Sequence, residues 1–110
     1  MRLGPTVTLC AIVLACACHR STAPDAETLD VYTPGNTFSP FSARVSVGTV
    51  VRFNIYGDDH NVIFSHAVAG FPADINVVRD QVVARTFGTR GTFSYSCTVH
   101  PGMNGEIVVQ

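Results

Sequence analysis

The sequence predicts an all-β domain, an antiparallel β-sandwich of about eight short strands. Three observations predict it. No stretch keeps apolar residues at helical spacing for three turns. Short runs in which apolar and polar residues alternate recur from Leu29 onward. Clusters of Gly, Pro, Asn and Asp separate those runs, as turns between antiparallel strands require.

Taken in order, Leu29-Asp30-Val31-Tyr32 is a first strand, stopped by Thr33-Pro34-Gly35-Asn36. Phe38 and Phe41 bracket Pro40, which removes a backbone donor and suits an irregular edge. Ala43 to Val47 alternates, Gly48 turns the chain, and Val51, Phe53 and Ile55 alternate with Arg52, Asn54 and Tyr56. Gly57-Asp58-Asp59 interrupts before a new run, His60-Asn61-Val62-Ile63-Phe64. Ser65 to Asn76 reads as a loop with room for a short helical turn. Gln81 to Phe87 and Thr92 to Cys97 are strands on either side of Gly88-Thr89-Arg90-Gly91, and Gly105 to Val109 is the last. Phe53, Ile55, Phe64, Phe93 and Tyr95 are core candidates by their alternation.

Length and composition bound the function. A chain of 110 residues supports one domain with one modest core. A hydrophobic fraction of 46% argues against wholesale disorder. The formal net charge is -1 and there is no basic stripe, so nucleic acid is not an expected partner.

The N-terminal segment is set apart from the fold. Arg2 precedes an apolar run from Val7 to Ala15, too short to span a bilayer comfortably. Residues 1–18 read as an export signal and 19–28 as a polar, flexible tether, leaving 29–110 as the folded domain. Val13-Leu14-Ala15-Cys16 resembles a bacterial lipobox, with Cys18 in a second, poorer register. Lipidation at Cys16, and with it a membrane tether, stands beside plain cleavage as the alternative. Both readings place the domain outside the cytoplasm, in the periplasm or cell envelope. His19 in the tether is assigned no role.

Cys10, Cys16 and Cys18 lie in or beside the signal, so Cys97 is the one thiol of the folded part. An internal disulfide framework is therefore excluded. A lone thiol in an oxidising compartment is a liability unless it is buried or ligated. Three residues on stands His100, and three further on Met103, in Cys97-Thr98-Val99-His100-Pro101-Gly102-Met103. Thiolate, imidazole and thioether form the donor set of a copper electron-transfer centre, which needs one more histidine. His60 meets that need, following a turn at the head of an apolar strand, where a sandwich presents side chains at one end. His66, past that strand, reads as a surface or half-buried histidine, and Asp58 and Asp59 as a solvated turn.

The run from Cys97 to Met103, with its Cys-x-x-His-x-x-Met spacing and its His-Pro, resembles the copper loop of the cupredoxins, and amicyanin more than plastocyanin. His60-Asn61-Val62 before an apolar strand is similar to the family's first-ligand motif, and Phe38-Ser39-Pro40 ahead of Val45-Ser46-Val47-Gly48 to its N-terminal half. The resemblance implies an eight-stranded Greek-key sandwich with one type 1 copper. It implies a trigonal plane of His60, Cys97 and His100, with Met103 as the axial ligand. It also implies that Asn61 donates its backbone N–H to the thiolate while its side chain ties two loops together.

A site whose positions are all filled by protein leaves none for substrate, so an electron carrier is expected rather than an enzyme. Its partners would be redox proteins (a cytochrome, a dehydrogenase or a reductase), and the chain would act as a monomer. His100 would be the exposed edge through which electrons pass, with Phe41 and Phe71-Pro72 as an apolar surface around it. The alternative is a copper-binding or delivery protein without a shuttle role. Such proteins favour exposed clusters of Met and His, and this chain places one Met near the site. A zinc-binding or metal-free sandwich would need the His and Cys set to be incidental.

Overall fold

The computed structural model describes residues 25–110, together with Arg2 and Gly4. The lipidation candidates Cys16 and Cys18, His19 and nearly all of the export signal lie outside the described residues. Eight strands follow one another: β1 (Thr28–Tyr32), β2 (Ser42–Val45), β3 (Thr49–Ile55), β4 (His60–Phe64), β5 (Ile75–Val78), β6 (Gln81–Phe87), β7 (Gly91–Ser96) and β8 (Asn104–Val109). They form two sheets, one ordered β1-β3-β6 and the other β2-β8-β7-β4-β5. The all-β sandwich expected from the alternation is the fold. β1 begins at Thr28, and Glu27 already accepts a hydrogen bond from Val50 N at 2.8 Å, so the ordered domain starts inside the stretch assigned to the tether.

Two features differ from the sequence-based expectation. The pairs β1–β3 and β2–β8 run parallel, whereas β3–β6, β4–β5, β4–β7 and β7–β8 are antiparallel. Parallel neighbours require the chain to cross between sheets, and side-chain alternation reports which face is buried without reporting direction. The segment from Ser65 to Asn76 forms turns but no helix, and its end enters β5. That short edge strand holds to β4 through His60↔Val78 and Val62↔Ile75, with a register irregularity between them.

The alternation of β3 is carried through as buried Thr49, Val51, Phe53 and Ile55. Facing them across the sandwich are Val62 and Phe64 of β4, Phe93 and Tyr95 of β7, and Ile107 and Val109 of β8. Interdigitation of the two inner faces makes the core, as in other sandwiches. Phe53 is its hub, meeting Tyr95 edge to face at 5.4 Å and Phe64 at 6.2 Å between centroids. Tyr95 meets Phe38 in the same way at 4.9 Å. The Tyr95 ring lies over its cross-strand partner Gly105, where an added Cβ would sit 2.6 Å from the ring. Glycine is required there by space.

One end of the sandwich collects the segments that matter below. β3 leads through Tyr56-Gly57-Asp58-Asp59 into His60, β7 leads out through Cys97, and β8 begins just after Met103. Gly57 turns the chain at φ 88°, in the left-handed region that glycine adopts without steric cost. The β5–β6 turn, Arg79-Asp80, reaches the same end because Val78 pairs with His60.

Candidate metal centre

Cys97 stands one residue beyond β7, and the loop after it is closed by its own backbone. Cys97 N donates to Met103 O at 2.9 Å, and Met103 N donates to His100 O at 3.2 Å. This turn brings His100 back beside Cys97 and places Met103 in the buried core. His60 opens β4 on the neighbouring strand.

The loop and the strand bring three donor atoms together. Cys97 Sγ lies 3.8 Å from His60 Nδ1 and 3.9 Å from His100 Nδ1. The ligand atoms of His60, Cys97 and His100 all fall within 4.8 Å of one another. The two imidazole rings sit 4.7 Å apart between centroids, tilted by 51°. Nitrogens and sulfur at this mutual spacing surround a point that one ion can occupy, and a thiolate with two imidazoles suits copper. His60 is fully buried, Cys97 is 4% exposed and Met103 is 1% exposed, so the sequence-predicted donors line a dry interior. The His100 side chain, at 17% exposure, is the outermost of the set.

Asn61 locks strand to loop. Its Nδ2 donates to Thr98 Oγ1 at 2.7 Å and its Oδ1 accepts from Thr98 N at 2.8 Å, two bonds spanning 37 residues of sequence. Such paired bonds hold ligand-bearing segments in place. Among the hydrogen bonds of the described residues, Sγ is met by the two ring nitrogens and not by the Asn61 amide.

Of the other residues singled out, Phe71 and Pro72 stand where the sequence did not place them, while His66 and Phe41 agree with it. His66 is exposed and stacks on Phe71 at 4.2 Å, outside the donor cluster. Phe71 and Pro72 lie beyond the far end of β4 from His60, because Phe64 N donates to Asp74 at that end. They therefore form no surface around His100. Phe41, 63% exposed, does lie toward the ligand end, where its carbonyl accepts from Glu106 N at 2.9 Å.

One participant was missed in the sequence. Asp58, read as a solvated turn residue, places Oδ2 at 3.4 Å from His100 Nε2. The Asp59 backbone N–H holds its carboxyl below the usual range, with His100 and Arg79 acting in the same direction. Burial, seconded by the neighbouring His100, holds the His60 imidazole below its usual pKa, against the opposing pull of Asp58 and Asp59. A neutral ring offers a lone pair to a metal.

That shift sets a pH dependence. The unfolded chain protonates His60 near the ordinary value of 6.5, while the folded metal-free chain resists protonation to lower pH. Unfolding then takes up a proton in that interval, so stability present above 6.5 is lost as the pH falls toward the depressed value. Thermal melts of metal-free protein should show a falling Tm across this window. A flat Tm there would mean that His60 does not carry the effect.

Comparison with known proteins gives the site its context. The chain is 30% identical to a plastocyanin of Prochlorothrix hollandica over an alignment of 125 residues, covering 99% of this chain and 93% of that protein. It is 39% identical over 70 residues to an amicyanin of Paracoccus denitrificans, a match covering 61% of this chain and 53% of the relative. A second amicyanin, from Paracoccus versutus, is matched over 40% of its own length, so the chain spans about half or less of these two relatives. Among solved structures, a substituted amicyanin in its Cu(I) form superposes with a TM-score of 0.68 at 28% identity, covering 76% of this chain and 82% of that one. No family model matches the sequence. An eight-stranded sandwich, a Cys and two His gathered at one end, and a plastocyanin aligned along nearly its whole length lead to one assignment: the chain belongs to the cupredoxin family.

Proposed function

We propose that this protein is an exported one-electron carrier whose cofactor is a single type 1 copper. The observation that carries the reading is the convergence of His60 Nδ1, Cys97 Sγ and His100 Nδ1 within 4.8 Å at a water-excluded end of the sandwich. His60, Cys97 and His100 would hold the ion, with the buried Met103 as fourth donor. When bound, copper supplies the reversible Cu(II)/Cu(I) couple.

The chain's own residues do the rest. Cys97 would hold the ion as a thiolate, the form that binding to a cation selects. Burial of His60, Cys97 and Met103 keeps water out of the donor set, and the Asn61–Thr98 bonds keep it from rearranging between oxidation states. His100, the least buried donor, offers the short path to a partner's surface. The partner is a redox protein, a cytochrome, dehydrogenase or reductase.

Export rests on the apolar N-terminal run and its charged start, with lipidation at Cys16 as one form of it. Copper delivery is the weaker reading, because a donor set buried this deeply is poorly placed to pass metal to another protein. Purified protein loaded with Cu(II) should be intensely blue or green, with a narrow copper hyperfine splitting by EPR. Colourless protein with tetragonal copper spectra would sink the type 1 reading.

A further inference from the structure

The turn ahead of β4 is built to aim one carboxylate at the outer edge of His100. Asp58 Oδ1 accepts from Asp59 N at 2.8 Å and faces Arg79 Nη2 at 3.5 Å. Arg79 is itself fixed by donating Nε to Asp59 Oδ1 at 2.9 Å, and Gly57 N donates to Asp80 Oδ1 at 3.2 Å, binding this turn to the β5–β6 turn. With Oδ1 engaged, Oδ2 is left toward His100 Nε2 at 3.4 Å. The separation is long for a hydrogen bond, and a small rotation of this exposed carboxylate closes it. Whenever Nδ1 of His100 gives its lone pair to a metal, Nε2 carries the ring proton and becomes a donor. Donor and acceptor then face each other.

We propose that Asp58 is a positioning residue for the copper centre. Its carboxylate holds the His100 ring by the Nε2–H, and its charge lowers the reduction potential. The inference rests on the type 1 reading above and adds to it a residue outside the ligand set. An anion beside a ligand stabilises the more highly charged Cu(II) over Cu(I), and a partly dry site weakens that effect less than water would. Arg79 shares the carboxylate and offsets part of its field. Asp59 is the built-in comparison: it pairs with the same Arg79 and carries the same charge, pulls on His60 less than Asp58 does, and among the described residues forms no ion pair with His100.

Two measurements on the full chain test this. In the protein loaded with diamagnetic Zn(II) at neutral pH, where a metal on Nδ1 keeps the His100 ring proton on Nε2, exchange of that Nε2–H with solvent is followed by NMR. Asp58→Ala should speed it by about tenfold, as loss of one charged hydrogen bond implies, and Asp59→Asn should leave it unchanged. In the copper-loaded protein, voltammetry should find the potential of Asp58→Asn raised, and that of Asp59→Asn raised by clearly less. Asp58 variants indistinguishable from wild type, or Asp59→Asn moving both readouts as far, would overturn the proposal. If wild-type protein is not blue with copper, the type 1 reading falls, while the exchange rates still decide whether Asp58 holds His100.

Discussion

Cys97→Ser abolishes the intense visible band of the copper-loaded protein and leaves a folded chain. The band requires a thiolate on the metal, and Cys97 is the one thiol among the described residues. A serine hydroxyl is a harder and far more weakly acidic donor, so the site loses its softest ligand and its charge together. Loss of an outer hydrogen-bonding partner costs metal sites about 10–100-fold in affinity, and loss of the thiolate should exceed that range. The cost to the fold is smaller. Cys97 is 4% exposed beside two imidazoles, and placing a hydroxyl there costs about 1–3 kcal/mol. Optical titration with Cu(II), beside denaturant melts of the metal-free variant, separates the two effects. A blue Cys97→Ser protein would remove Cys97 from the site.

Phe53→Ala is expected to be the most damaging substitution in the core. Phe53 is fully buried at the centre of β3 and packs edge to face on both Phe64 and Tyr95. Truncation removes the contacts of a whole ring and leaves a cavity between two sheets that cannot collapse freely, a loss of about 3–5 kcal/mol. Domains of this size hold only about 5–15 kcal/mol in total, so much of the stability goes with one side chain. Chemical denaturation of metal-free protein should show the midpoint falling sharply. Because β3 leads straight into the turn before His60, copper affinity should fall with it. A variant whose midpoint stays within the spread of surface substitutions would show that the aromatic cluster does not bear the core.

The strands that read most clearly are those buried on one face. β3 and β6 stand where their alternation placed them, because period-two burial is written directly into the residues, while β4, buried along both faces, is marked by its apolar run after the Gly57-Asp58-Asp59 turn. β5 was missed for the opposite reason. It is four residues long, largely exposed, and pairs along β4 alone, so its state depends on a neighbour and not on its own pattern. The parallel direction of β1 and β2 was hidden for a related cause, since alternation looks the same in either direction. Phe71 and Pro72 were misplaced because a loop's route cannot be read from its composition. They follow β4 away from His60, not toward it.

The donor set was legible in the sequence because soft metal ligands carry their chemistry in their identity. Cys97, His100 and Met103 share one short loop, and His60 stands at the head of a strand. Residue type and spacing alone thus determined a sandwich with a thiol and two imidazoles available at one end. Only the tertiary structure decided that Sγ and both Nδ1 atoms face a common point, that the Asn61–Thr98 bonds clamp strand to loop, and that Asp58 lies against His100. The first kind of information is local, a property of each side chain. The second depends on distances across 37 and 42 residues of chain, which only the packing of two sheets can set.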